Sequence, residues 1–156
     1  MGDTITIYIP YLPDRRLGPN KSRYQHWGTT TRLQDELKSV TWGAVREACQ
    51  RFRAETGHPW RICTQADMHI EVVNARRSMD SDNAEASLKH ARDQLEGIII
   101  VNDSGLNVTG PKFIRDRNRR TGTYFKIADR ADQPVTKQSG SAPLPGDRRG
   151  TDHKSR

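Results

Sequence analysis

Asp80 and Asp82 stand one residue apart in the stretch RRSMDSDNAEASLKHARDQLEG, Arg76 to Gly97, where an extended segment gives way to a helical pattern. Alternate residues of an extended segment share a face, so a D-x-D at a strand end or helix start aims two carboxylates at one point. Crowded carboxylates repel each other, and a hard divalent cation offsets that repulsion. Mg2+ takes oxygen ligands, keeps several waters, and is typically held by one or two carboxylates plus substrate phosphate. Asn102-Asp103 forms a second acidic turn beyond the helix, from which Asp103 can supply a third carboxylate. At about 100° per residue, Asp82, Lys89 and Asp93 fall within roughly 40° of one another on one side of the helix. A purely structural alternative exists. Asp82 or Ser81 can cap the helix, and Lys89 and Asp93, four apart, can form a surface pair. Capping needs only one aspartate, however, and leaves Asp80 and Asp103 unexplained.

The elements that must position these groups are legible from apolar spacing. TITIYIP alternates with Ile5, Ile7 and Ile9 on one face and reads as a strand. YLPDRRLGPNKSRYQHWG reads as a long loop, a length usually reserved for function. From about Thr31 the steps of Leu33, Leu37, Val40, Ala44, Ala48 and Phe52 predict a helix, stopped by TGHP. QADMHIEVVN alternates again, with Ala66, Met68, Ile70 and Val72 on one face. A second helix is expected from about Asn83 to Glu96, with Gly97 in the C′ position. Ala84, Leu88, Ala91 and Leu95 should pack it on the sheet. LNVTGPKFIR and GTYFKIAD read as a final hairpin joined by DRNRRT. After Ala128 the chain is polar, charged and rich in Ser, Gly and Pro, so residues 129–156 are expected to be a disordered basic tail. The expectation is one α+β domain over residues 1–128.

Lys and Arg number 26 against 19 Asp and Glu, a formal net charge of +7, which makes a polyanion the default partner. No apolar run approaches the ~20 residues needed to span a bilayer, and MGDTITIYIP lacks a signal-peptide pattern. No membrane partner is expected. Cys49 and Cys63 match no metal spacing and imply no disulfide framework. The basic groups that can hold phosphates fall in three places. Asn20, Lys21, Arg23 and His26 mix with Tyr24 and Trp27 in the first loop, although Trp27 can simply staple that loop to the first helix. Arg76 and Arg77 flank the acidic pair. Lys112, Arg115, Arg117, Arg119 and Arg120 crowd into the last turn, which can also be an ordinary solvated one.

The full string D-S-D-N-A-E-A-S-L-K-H-A-R-D-Q-L, a short gap and N-D resembles the RusA family of crossover-junction endodeoxyribonucleases. That family's pattern is D-x-D-N, a helical Lys, often a helical Asp with Leu two residues on, then an Asp-Asp turn. LGPNKSRYQHW is also similar to the family's N-terminal loop, and the likeness extends over roughly Ile5 to Ile127. The resemblance implies a mixed sheet packed by two helices. It further implies that Asp80, Asp82 and Asp103 bind Mg2+, with Mn2+ as a substitute, that Lys89 is the catalytic lysine, and that Asn83 orients the turn. Asp93 matches a frequent family position and can brace Lys89. Two departures stand out. Lys89 lies seven residues after the second Asp, where the shortest family members have four, and Asn102 replaces a common Asp, ligating through its oxygen without adding charge. The resemblance implies hydrolysis of phosphodiesters in branched double-stranded DNA, a homodimer matching the junction's symmetry, and a cytoplasmic setting in a prokaryote or phage-infected host. A DNA-binding module without catalysis and a Mg2+-dependent hydrolase of flaps or nucleotides stay open beside it.

Overall fold

Apolar alternation sets the centre of the molecule. The computed structural model describes residues 2–18 and 27–130. Strand β1 (Thr4–Ile9) turns Ile5, Ile7 and Ile9 inward, and β2 (Ala66–Val73) does the same with Ala66, Met68, Ile70 and Val72. Helix α1 (Trp27–Thr56) and helix α2 (Ser81–Asp93) cover that face, and β3 (Leu106–Ile114) and β4 (Gly122–Asp129) complete a sheet of order β1-β4-β2-β3. β4 is antiparallel to both β1 and β2, whereas β3 is parallel to β2. The mixed sheet with two helices is the expected α+β architecture. The stripe Ala84, Leu88, Ala91 and Leu95 is fully buried, and α1 buries Leu33, Leu37, Ala44, Ala48 and Phe52 as its spacing predicts.

Three expectations are corrected. β3 and β4 have nearly the expected bounds but are not a hairpin, because β2 lies between them. β2 buries six of its eight residues, four of them consecutively from Ile70 to Val73, and so takes an inner position. β3 buries only one of its nine residues and carries a kink, so it takes the edge. Gly110 there has φ +97, and a Cβ would come within 2.6 Å of the Ile70 carbonyl oxygen, which restricts the position to glycine. This is where β3 takes one extra residue against β2, between the pairs His69–Thr109 and Glu71–Lys112. Second, α2 ends at Asp93 with Gln94 as C-cap, so Gly97 (φ +77) is not its C′ residue but turns the chain into the buried Ile99 and Ile100. Third, the N-cap of α2 is Asp80, rather than Ser81 or Asp82, and its side chain makes no capping hydrogen bond. β4 runs one residue past the expected boundary at 128, and most of the expected tail lies outside the described residues.

Candidate functional site

Strand direction decides which candidate residues meet. β2 and β3 are parallel, so their C-terminal ends lie together, and the segments that leave them share one end of the sheet. From β2 comes 74–80, which carries Arg76 and Arg77 and leads to Asp80 and α2. From β3 comes 115–121, which carries Arg115, Arg117, Arg119 and Arg120. The two are tied directly. The Asn74 amide donates to the carbonyls of Asp116 (2.7 Å) and Arg119 (3.1 Å), and its oxygen accepts from the Asp116 N–H (2.9 Å). Arg115 donates to the Arg76 carbonyl at 3.4 Å. Asn74 adopts φ +58, a left-handed conformation that Asn tolerates better than most residues.

Asp80 and Asp82 are both exposed, at the start of α2, and among the described residues neither carboxylate is held by a hydrogen bond or ion pair. The positive end of the helix dipole favours negative charge there. Asn83 is half-buried, its Oδ1 beside Gly18, next to the 3-10 turn Arg15–Leu17. Lys89 is exposed two turns further along, and the Lys89–Asp93 pair of the purely structural alternative is not made. The ion pair on this helix is instead Arg92–Glu85 at 3.0 Å.

Asp103 is elsewhere. α2 is 13 residues long, about 20 Å of helix, and Asp103 lies just past its far end, where its N–H donates to Glu96 at 3.2 Å. Asn102 accepts from the Ser104 N–H through its side chain, an ordinary capping contact for the short 3-10 turn Asp103–Gly105. Among the described residues no three His, Cys, Asp or Glu side chains come together as a metal-binding group. The expected triad is therefore not assembled within one chain. Asp80 and Asp82 still fit a Mg2+ held by two carboxylates with substrate phosphate. Asn20, Lys21, Arg23 and His26 lie outside the described residues. Trp27 is 76 % exposed, so its ring is not buried as a staple would be.

Three residues of this region escaped the sequence reading. Glu71 is buried and accepts from Arg119 at 2.7 Å and Lys126 at 3.0 Å. Burial pushes its carboxyl up, but the two cations outweigh burial and hold it below the usual range. Lys126 was findable, since alternation along GTYFKIAD turns it away from the core, and so was Asn74, a residue tolerant of positive φ just after a strand. Glu71 gives no such signal, because nothing in the sequence marks an outward carboxylate as covered.

No family model, no curated protein and no solved structure matches this chain.

Proposed function

We propose that this protein is a Mg2+-dependent, structure-selective endodeoxyribonuclease of branched DNA, with the four-way junction as its substrate. The observation that supports this reading most is that two unengaged carboxylates share one end of the sheet with the arginine-rich segments 74–80 and 115–121. Unengaged carboxylates at the same end of the sheet as so many cations suit a site that a phosphodiester and a hard cation complete. Asp80 and Asp82 would hold the Mg2+, or Mn2+. Bound there, the metal would lower the pKa of a water and offset the charge that develops on the phosphoryl oxygens. The chain's own residues position the substrate. Arg76, Arg77, Arg115 and Arg117 are exposed and face flanking phosphates. Lys89, exposed and in no ion pair among the described residues, is available to donate to a phosphate oxygen, the electrostatic role expected near developing negative charge. A homodimer would present two such ends to a two-fold symmetric junction.

A non-catalytic DNA-binding role is the second reading, favoured by the separation of Asp103 from the pair. One experiment divides them. Labelled four-way junction, flap, duplex and single strand are incubated with the protein in Mg2+ or in EDTA and resolved on denaturing gels. Cutting of the junction in Mg2+ alone supports the nuclease. Tight binding without cutting in either condition leaves the binding module.

A further inference from the structure

Both helices lie on one face of the sheet, and among the described residues no element covers the opposite face. The register identifies what points outward: Tyr8 on β1, Tyr124 and Lys126 on β4, His69 and Glu71 on β2, and Thr109 and Lys112 on β3. The part of this face nearest the candidate site is strongly cationic. Arg119 and Lys126 pair with one carboxylate, Glu71, which is buried beneath them, Lys112 stands opposite Glu71 in the register, and Arg120 lies over Tyr8 at the other side of the sheet. The cations are also braced. The Arg119 guanidinium lies 4.4 Å from the centre of the Tyr124 ring, Tyr124 packs on Tyr8 at 5.0 Å, and Arg120 reaches to 6.0 Å from Tyr8.

We propose that this open sheet face is a second DNA-binding surface, one that grips the backbone of a duplex arm while the end of the sheet bearing Asp80 and Asp82 meets the strand to be cut. The inference rests on the nucleic-acid part of the function proposed above. Charge selects the occupant, because a second copy of the chain laid on this face would set like charges against each other. The tyrosines select backbone over base. Both hydroxyls are tied to main-chain carbonyls, Tyr8 to Thr121 at 2.8 Å and Tyr124 to Arg120 at 3.1 Å, and the rings pack on each other and under Arg119 rather than standing free for stacking. Spacing fits a duplex. Lys112 and Lys126 lie on strands either side of β2, opposite Glu71 and His69, so two strand spacings and a two-residue offset set their Cα atoms roughly 12 Å apart, close to the ~12 Å width of a major groove bordered by two phosphate ridges.

The test measures affinity for a labelled 20-base-pair duplex and a single strand of equal length, in EDTA, across a salt series. The variants are the full-length double substitution Lys112→Ala with Lys126→Ala, and Lys112→Ala with Arg120→Ala, which leaves the Glu71 contacts intact. Each should flatten the slope of log affinity against log salt for duplex by about 1.8, at roughly 0.9 per lost phosphate contact. Lys112→Arg with Lys126→Arg should restore it. Arg53→Ala with Arg61→Ala removes the same charge from exposed positions elsewhere and should leave the slope unchanged. An unchanged slope in both face variants, an equal loss in the Arg53 and Arg61 control, or a loss confined to single strand overturns the proposal. Failure here with junction cutting intact sinks the sheet face alone. Absence of cutting with the slope change present sinks the nuclease alone.

Discussion

At the scale of single residues, the question is what Asp80 and Asp82 do at the head of α2. Asp80 occupies the N-cap without using its side chain as a cap, so a change to Asn removes no existing hydrogen bond. Asp82→Asn forfeits only a charge favoured by the helix dipole, about 0.3–1 kcal/mol. Both variants should therefore fold and melt nearly as the parent does. Single-turnover junction cleavage should nevertheless fall by about 100-fold or more, the scale on which one lost charge-stabilising contact costs an enzyme. Binding in EDTA should persist or tighten, since a repulsive charge beside the phosphates is gone. Asp103→Asn separates the structure from the sequence pattern. With about 20 Å of helix between it and the pair, it should cut at close to the parental rate. An Asp103→Asn variant as slow as Asp82→Asn would mean that a rearrangement or a second protomer brings Asp103 to the site. Normal cleavage by both Asp80→Asn and Asp82→Asn would sink the metal site itself.

At the scale of elements, the cationic segment 115–121 depends on Asn74, one side chain making three hydrogen bonds to it across the end of β2. Asn74→Gly keeps the positive φ and loses the bonds. Asn74→Ala loses the bonds and adds a left-handed penalty of roughly 1–2 kcal/mol. With each bond worth about 0.5–1.5 kcal/mol, Asn74→Ala should destabilise by about 3–5 kcal/mol and Asn74→Gly by less. Urea melts of the two variants give the difference directly, and equal losses would show that the backbone conformation at Asn74 carries no strain. The strands that Asn74 ties together show how far sequence reaches. The inward faces of β1, β2, α1 and α2 follow from period and spacing, because each depends on its own residues. The neighbour of β3 does not, because it is decided by competition for the sheet interior, which the apolar β2 wins. The same limit hid the position of Asp103. Spacing places it after α2 but says nothing about how far the helix then holds it from Asp80 and Asp82.

At the scale of the whole molecule, acid should destabilise the fold in two stages, both of the same sign. His90 is held below its ordinary value of about 6.5, first by burial and then by Lys38, with Lys89 adding to and Asp93 opposing the shift. Its Nδ1 is buried and finds no hydrogen-bond partner among the described residues, as suits a neutral ring. The unfolded chain therefore takes up this proton more readily, so stability is intact above about pH 6.5 and declines as pH falls toward the lowered folded value. Glu71 and Asp14 act at lower pH. The cations beside Glu71 and the Arg16 hydrogen bond to Asp14 favour the charged forms, so their contributions exist above the ordinary carboxylate values and disappear as those groups protonate. Urea melts at pH 7, 5.5 and 4 should show the parent losing stability across both intervals. His90→Gln should flatten the interval from pH 7 to 5.5 and leave the lower one. Glu71→Gln should flatten part of the lower interval, because the salt-bridged charge it removes is the group that would otherwise titrate there. If His90→Gln declines from pH 7 to 5.5 as steeply as the parent, the proton that destabilises the fold in that interval binds elsewhere.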